Sequence, residues 1–406
     1  MSSSTNGSSA PRRVFAAVDC STSKQTGVLP VTPLCIGGGV FGTDYMNKDE
    51  IESDVPVETL RLAFQYGMNA IDTSPYYTTS EATLGRALLR LRDEFPRDSY
   101  ILITKAGRYG RTKADFDYSA KRVRESVLNS CKLLETDYLD GVYMHDVEFV
   151  AENVGGYDGD YATVDENGQP RKDMFAKWGL LGEDEAKIHG PGDERVLEAL
   201  SELFKLKREG KIRAVGFSGY PLPTMLRLAR LIAAKLEPLD VIQSYCHFTL
   251  QNTSLASWYP LFKQAGVKQI INASPLSMGL LRTDSSPAWH PASPALQQAR
   301  RDIVQVLSAK NVLLEDVALG FGFASAALDP DSVATPTVVG LTSPDQVVST
   351  MKVYESIYGR GEPRRGRLPG SGLDSPELAE QLEYERTVLE IIQKSGTYQW
   401  CWPQGL

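Results

Sequence analysis

The sequence has few of the residues that build disulfide frameworks or zinc sites. Its 406 residues include five cysteines and four histidines. The cysteines are widely spaced, their number is odd and no Cys-x-x-Cys occurs, which argues for reduced thiols rather than a disulfide framework. The histidines form no His-x-x-x-His pair and no cluster with cysteine at metal-ligand spacing. We therefore expect no bound metal, and a reducing cytoplasmic setting.

Long apolar runs and an excess of positive charge are also missing. No apolar run approaches the roughly 20 residues that a membrane-spanning helix needs, and the formal net charge is −8. This balance gives no electrostatic support for a nucleic-acid or membrane partner. The Ser-rich start lacks the apolar core of a secretory signal. We expect residues 1–27 to form a disordered tail, with an organelle transit peptide as the alternative.

A glycine-rich stretch at residues 35–42, CIGGGVFG, matches the Gly-x-Gly-x-x-Gly pattern of a dinucleotide-binding turn. Such a turn must open a helix, because the helix N-terminus holds the pyrophosphate. Residues 43–49 are polar and lack helical apolar spacing, and the first good helix is expected only near Asp54. The stretch therefore does not predict a Rossmann domain.

Two kinds of segment alternate along the chain. Short, β-branched apolar segments predict strands at residues 34–37, 70–73, 100–104, 139–144, 212–217, 241–245, 269–273 and 337–340. Longer segments with helical spacing predict helices at residues 57–66, 81–91, 120–134, 195–209, 223–236, 257–265, 295–309, 317–328 and 344–354. Eight such units predict an α/β fold, a (β/α)8 TIM barrel over residues 28–358, with a doubly wound sheet as the alternative.

Two regions interrupt this alternation. Residues 147–193 follow the fourth strand and are too long and polar for an ordinary connection. In a barrel, a loop after a strand lies on the C-terminal face, so this insertion is either a lid over the site or a tolerated surface insertion. Residues 359–406 predict a linker followed by a helix and a C-terminal tail that docks on the barrel through Trp400 and Trp402.

Polar residues stand at the ends of three consecutive predicted strands. Asp72 and Tyr77 follow the second strand, Lys105 the third and His145 the fourth. A tyrosine hydroxyl has an ordinary pKa of about 10, and a nearby ammonium group lowers it. We expect Lys105, kept charged by Asp72, to activate Tyr77 as a proton carrier. His145 would hydrogen-bond the substrate oxygen.

This ordered set resembles the aldo-keto reductase family. The resemblance extends over residues 34–358 and is carried by the Asp-x-x-x-x-Tyr segment at 72–77, Ile-Thr-Lys at 103–105, and His145. It implies the barrel, a nicotinamide cofactor bound without a Rossmann turn, and hydride transfer at a carbonyl or alcohol carbon. Asp72, Tyr77, Lys105 and His145 would then be the catalytic residues.

The resemblance also implies cofactor and substrate contacts. Val40 and Phe41, after the first strand, would face the reaction centre. The implied cofactor contacts are Gly39, Ser218, Gln243, Ser274, Leu276, Ser277, Met278, Gly340, Ser343, Gln346 and Thr350. Three positions depart from the family pattern. Gly219 replaces the usual asparagine after Ser218, Ala273 replaces a tyrosine that stacks on the nicotinamide ring, and Thr350 stands where an adenine-binding asparagine is common.

The last loop bears on the choice between NAD and NADP. A 2′-phosphate is a dianion and requires Arg or Lys. NADPH-preferring members of the family place cations where this chain has Gly340 and Gln346, and no cation stands between Gly340 and Lys352. We therefore expect NAD to be preferred, with NADP possible.

Within the family, segments 240–247 and 273–281 and a Trp-His-Pro piece at Trp289 are similar to the L-galactose dehydrogenase and D-arabinose 1-dehydrogenase branch. This resemblance implies oxidation of an aldose at C1 to its lactone, with Trp289 near the sugar. The partner would be a small sugar, and the chain a monomer or weak homo-oligomer. Two alternatives remain open: an NADPH-dependent reductase of aromatic or secondary-metabolite aldehydes and ketones, and a non-catalytic nicotinamide-binding regulatory barrel.

Overall fold

Eight parallel strands close into a barrel in chain order, β1 to β8, with β8 paired to β1. A computed structural model describes residues 12–20, 27–156, 161–328, 335–359 and 376–402. The strands are β1 Leu34–Gly37, β2 Ala70–Asp72, β3 Ile101–Ala106, β4 Leu139–Met144, β5 Ile212–Gly219, β6 Val241–Tyr245, β7 Gln269–Ala273 and β8 Thr337–Gly340. The predicted TIM barrel is confirmed.

Helices follow the strands and cover the outside of the barrel. They are α1 Lys48–Glu52, α2 Val55–Tyr66, α3 Ser80–Leu91, α4 Ala120–Leu133, α5 Pro191–Arg208, α6 Leu222–Lys235, α7 Ser254–Gln264, α8 Pro294–Ser308, α9 Leu314–Phe323, α10 Pro344–Tyr358 and α11 Pro376–Lys394. Each of these from α2 to α11 was indicated by apolar residues at helical spacing, and that apolar face is the one each helix buries. Within the described residues, no helix is long and apolar enough to cross a membrane.

Two apolar layers hold the barrel together. Inside it, side chains that alternate along the strands fill the lumen, among them Cys35, Ile103, Tyr143 and Val241, all fully buried. The opposite faces of the same strands pack against the helices and form the larger core. Strands that are buried on both faces must be apolar nearly throughout, and this is why continuous apolar runs predicted them.

The segment after β1 differs from the expectation. Gly38–Phe41 forms one turn of 3-10 helix, and the short helix α1 follows. Asn47 caps α1 because its side chain accepts from the Glu50 N–H while the Glu50 carboxylate accepts from the Asn47 N–H. The helix has one buried residue, Ile51, so it shows no apolar periodicity, and its capping box is the signal in the sequence.

Part of the segment expected to be a disordered tail packs against the barrel. Val14 and Phe15 are buried, and the Val14 N–H donates to the Tyr66 carbonyl at 2.8 Å. The Phe15 ring meets that of Tyr354 edge-on at 4.8 Å. The rest of this expected tail, residues 1–11 and 21–26, lies outside the described residues.

The insertion after β4 contributes to the core. Phe175 and Trp178 are buried, and their rings lie 5.8 and 6.0 Å from that of Trp258 in α7. At its end, Asp193 forms a fully buried two-bond ion pair with Arg227 of α6, at 2.7 and 2.9 Å. These contacts attach the insertion to α6 and α7.

The described end of the chain lies over the C-terminal side of the barrel. The Trp402 ring stacks on that of Tyr220 at 4.3 Å, and the backbones of Tyr161 and Cys401 form an antiparallel bridge. The insertion and the tail therefore contact each other at this face. The expected linker, residues 359–367, lies outside the described residues apart from Gly359.

Candidate active site

The predicted catalytic residues meet at the C-terminal mouth, the end of the barrel at which all eight strands terminate. Asp72 ends β2, Lys105 is the fifth residue of β3, and His145 follows β4 directly. Asp72 and Lys105 point into the lumen, because Ala70, Ile101 and Ile103 on the same faces belong to the interior layer. Parallel strands thus bring Lys105 close to Asp72, 33 positions earlier in the chain, and to His145, 40 positions later.

A buried ion pair forms the centre of the site. Lys105 Nζ lies 2.5 Å from Asp72 Oδ1 and donates to the Thr73 carbonyl at 3.2 Å. The Lys105 and Asp72 side chains are 1% and 4% exposed, so water does not screen the pair. Burial opposes the charged ammonium, but the charge and hydrogen bond of Asp72, together with the charge of Asp146, outweigh it and raise the pKa of Lys105 above its ordinary value. The lysine is therefore charged at neutral pH.

Gln243, which the resemblance implied as a cofactor contact, lies beside this ion pair. Its Nε2 donates to Asp72 Oδ2 at 3.0 Å, so its amide nitrogen is bound to the carboxylate of the ion pair. Asp72 consequently has a donor on each oxygen. The amide oxygen of Gln243 is the atom that remains to accept a bond from a carboxamide NH2 group.

Tyr77 lies beside the pair, with Lys105 Nζ 5.2 Å from the centre of its ring. Burial raises the pKa of Tyr77 to about 12, and the Lys105 charge opposes this shift without overcoming it. The expected lowering of this pKa is thus absent, because loss of hydration destabilises the phenolate more than the Lys105 charge stabilises it. At neutral pH Tyr77 holds its proton.

His145 is buried and neutral. Burial lowers its pKa to about 3, and the nearby cations Lys105 and Arg108 oppose its protonation further. Its Nδ1 lies 2.9 Å from the Ser74 hydroxyl, and its ring meets that of Tyr77 edge-on at 5.6 Å. A neutral imidazole beside a phenol can orient a substrate oxygen between them.

An ion pair that the sequence analysis missed lies next to His145. Arg108 contacts Asp146 Oδ2 at 2.5 Å, and its guanidinium lies 3.9 Å from the centre of the Tyr76 ring. Asp146 adopts a left-handed conformation (φ +53°), which is strained for a residue other than glycine. Both residues follow strand ends, and that position was the available signal.

A buried carboxyl group, Glu148, was also missed. Its Oε1 accepts from the Tyr220 N–H at 3.1 Å and from the Tyr245 hydroxyl at 3.3 Å. Burial, and after it the negative charge of Asp146, raises the pKa of Glu148 well above its ordinary value. A side chain at Gly219 would place its Cβ 2.9 Å from Glu148 Oε2, so the missing side chain at Gly219 makes room for this carboxyl. Its apolar neighbours in the sequence gave no hint of this role.

The residues implied as cofactor contacts in β5 and after β7 lie at the same mouth. The Ser218 hydroxyl accepts from the Asp146 N–H at 3.2 Å, and the Ser274 hydroxyl accepts from the Met278 N–H at 2.9 Å. Ser274, Ser277 and Met278 all have positive φ, so this turn is strained. Leu276 is partly buried against the core.

The loop after β8 is held by its own side chains. Ser343 caps α10 by accepting from the Gln346 N–H, and Gln346 Oε1 accepts from the Thr342 N–H at 2.9 Å. Gly340 and Gln346 are exposed, whereas Thr350 is 3% exposed and faces inward from α10.

The residues implied as substrate contacts differ in how far they are exposed. Phe41 is fully buried in the main core and offers no surface to a substrate. Val40 is partly exposed and lies against Gly340, and Gly39 lies against the Tyr77 ring. Trp289 is 58% exposed and stacks on His290 at 6.1 Å.

This mouth fits a nicotinamide group. Glu148 Oε2 is buried and has no hydrogen-bond partner among the described residues. Ser218, Gln243 and Ser274 present polar groups from three neighbouring strands. In the part of the chain that the structure describes, no group of three or more His, Cys, Asp or Glu side chains could hold a metal ion.

The barrel and this site define an oxidoreductase class. The family model of the aldo/keto reductase family matches residues 33–357, and the chain belongs to that family. Aldo-keto reductases use NAD(P)H nicotinamide cofactors.

Two curated relatives are similar over most of their length. D-arabinose 1-dehydrogenase of Saccharomyces cerevisiae is 36% identical over 336 residues, which cover 82% of this chain and 85% of the yeast protein. L-galactose dehydrogenase of Arabidopsis thaliana is 33% identical over 366 residues, which cover 89% and 92%.

Two solved structures agree in fold. The glycerol dehydrogenase of Gluconobacter oxydans superposes with a TM-score of 0.55 at 19% identity, covering 92% of this chain and 96% of that one. The aldo-keto reductase of Bacillus halodurans gives a TM-score of 0.53 at 22% identity, covering 89% and 93%.

Proposed function

We propose that this protein is an NAD-dependent aldose 1-dehydrogenase that oxidises a sugar of the D-arabinose or L-galactose type at C1 to its lactone. The observation that carries the proposal is the buried Asp72–Lys105 pair beside Tyr77, facing a neutral His145. The names of two relatives that cover most of the chain support the substrate class.

In this proposal the side chains handle the proton. Tyr77 first loses its own proton to solvent, and the Lys105 charge stabilises the resulting phenolate. This phenolate then takes the proton of the C1 hydroxyl and returns to the neutral phenol. Asp72 keeps Lys105 charged, and His145 donates a hydrogen bond to the substrate oxygen. The nicotinamide ring supplies the acceptor for the hydride. Holding C1 of the sugar close to that ring, in the orientation that the transfer needs, is the main catalytic task.

The cofactor would lie along the strands opposite the catalytic residues. Ser218 and Gln243 would hold the carboxamide, and the turn at 274–278 would follow the pyrophosphate. Ser343, Gln346 and Thr350 would hold the adenosine. The absence of a cation between Gly340 and Lys352 favours NAD over NADP.

The test is the absorbance of reduced nicotinamide when purified protein is mixed with NAD or NADP and a panel of aldoses that includes L-galactose, D-arabinose and L-fucose. Reduction of NAD by one or two sugars is expected. If no sugar reduces NAD or NADP and aldehydes oxidise NADPH, the proposed direction and substrate are overturned.

One feature favours that second candidate, an NADPH-dependent reductase of aromatic aldehydes or ketones. The Tyr220 ring stacks on that of Trp402, with ring centres 4.3 Å apart, and lies tilted against that of Tyr245 at 5.2 Å. This row of rings runs from β6 to the C-terminal tail and could bind an aromatic substrate. The same panel, extended to aromatic aldehydes with NADPH, separates the two candidates.

A further inference from the structure

The Ser74 hydroxyl is buried against the ring of His145. Ser74 is 1% exposed and His145 is 4% exposed. Ser74 Oγ lies 2.9 Å from His145 Nδ1 and accepts from the Tyr76 N–H at 3.1 Å. The serine stands two residues after Asp72, on the turn that also carries Tyr77.

The number of protons available fixes the direction of this hydrogen bond. A serine hydroxyl has one proton and two lone pairs, and the Tyr76 N–H already occupies one lone pair. Among the described residues, His145 Nδ1 is the one acceptor in contact with the hydroxyl. If Nδ1 carried the ring proton instead, the serine proton would be left buried without an acceptor, which is costly. The serine therefore donates to Nδ1.

A neutral imidazole carries a single proton, so its position on the ring follows. With Nδ1 acting as the acceptor, the proton is on Nε2. Asp146 Oδ2 lies 3.6 Å from Nε2, beyond a good hydrogen bond, and is held by Arg108 at 2.5 Å. The Nε2–H donor thus remains available to a ligand.

The other groups around the ring do not compete for its proton. The Tyr118 hydroxyl donates to the backbone carbonyl of His145 at 2.7 Å, not to the ring. Tyr76 and Tyr77 meet the imidazole edge-on, at 5.6 Å each. Lys105 and Arg108 are the nearby cations, and both disfavour a second ring proton.

We propose that Ser74 is a positioning residue: it fixes His145 as the Nε2–H tautomer, so that this nitrogen donates to the substrate oxygen beside Tyr77. The proposal deepens the proposed function and rests on it for its kinetic consequence. The tautomer itself is a property of the protein without cofactor or substrate.

The first experiment reads the tautomer directly. Nitrogen-15 labelling of the four histidines and long-range proton–nitrogen spectra distinguish protonated from bare ring nitrogens, and a His145→Asn variant assigns the resonances. We expect Nε2 of His145 to be protonated and Nδ1 bare at neutral pH. Protonated Nδ1 would overturn the proposal, whatever the enzyme's activity.

The second experiment removes the donor in steps. Ser74→Ala has no donor, and Ser74→Cys keeps a weaker one. We expect His145 to lose its single tautomer in the alanine variant, and turnover at saturating sugar to fall about three- to tenfold, as for one lost hydrogen bond. The cysteine variant should lie between. Affinity for NAD, measured separately, should not change.

The chain offers a matched control. Ser244 Oγ lies 3.0 Å from Nδ1 of His247, a second fully buried pair outside the catalytic set. Ser244→Ala should change the His247 resonances and leave turnover unchanged. An equal loss of turnover in both alanine variants, or none in Ser74→Ala, would overturn the proposal. If the wild type shows the expected tautomer but turns over no sugar, the proposed function fails and the assignment of the tautomer stands.

Discussion

The Asp72–Lys105 pair gives the sharpest test of how the site is built. Lys105→Met removes the ammonium and keeps a side chain of similar length. It leaves Asp72, 4% exposed, with the Gln243 amide as its remaining side-chain donor among the described residues. A buried carboxylate that has lost its counter-charge is strongly unfavourable.

The expected magnitude follows from this burial. Removing one partner of a buried ion pair costs about 3–5 kcal/mol, because the other charge remains out of water. Adding Asp72→Asn removes that charge and keeps an oxygen for the Gln243 donor. We therefore expect the double variant to regain most of the lost free energy of unfolding, to within about 1–2 kcal/mol of the wild type.

Activity should not follow stability. Tyr77 needs the Lys105 charge to bear a negative charge, so turnover should fall at least about 100-fold in both variants. Equilibrium unfolding in urea gives the free energies, and nicotinamide absorbance gives turnover. Arg227→Met, which breaks the equally buried pair with Asp193, should lose similar stability but keep turnover in the folded fraction. A double variant as unstable as Lys105→Met would refute the reasoning.

Three further predictions follow from other parts of the structure. Tyr77→Phe should bind NADH as the wild type does, measured by fluorescence titration, and lose at least about 100-fold in turnover; turnover near the wild-type value would remove Tyr77 from the chemistry. Gln346→Arg should raise kcat/KM for NADP relative to NAD about tenfold, since arginine binds phosphate with two hydrogen bonds, whereas Gln346→Ala should not. Burial lowers the pKa of His145 and His247 to about 3, so both stay neutral when folded but take up protons below about pH 6.5 when unfolded. Stability is therefore full above that pH and falls as the pH drops, by about 2 kcal/mol per histidine at pH 5. In the His247→Gln variant, the free energy of unfolding measured against pH should show about half of this histidine-dependent fall, because only His145 still contributes. A slope equal to that of the wild type would contradict the prediction.

The barrel could be predicted because its strands are buried on both faces. Five of the eight strands, β1, β4, β6, β7 and β8, have the bounds that their apolar runs indicated. The helices α2 to α11 were indicated with their ends shifted by at most five residues. The largest shift is at the end of α9, which ends at Phe323 and not at residue 328, because Ala324–Ala327 continue the chain as a 3-10 helix.

What the sequence could not predict depends on contacts between distant segments. The packing of residues 12–20 requires Tyr66 and Tyr354, which no local pattern links to them. Phe41 looked like a substrate contact because of its place after β1, but the 3-10 turn directs it into the core. Glu148 looked like one acidic residue in a polar insertion, and only the fold places it under Tyr220 and Tyr245.

The sequence by itself determined the barrel and the order of polar residues along its mouth. This follows because parallel strands all end on one side, so strand-end residues must be neighbours wherever they lie in the chain. Tertiary structure alone decided their ionisation. Tyr77 keeps its proton, His145 stays neutral and Lys105 stays charged because each pKa is set by burial and by charges a few ångströms away. Those distances exist only once the strands have closed.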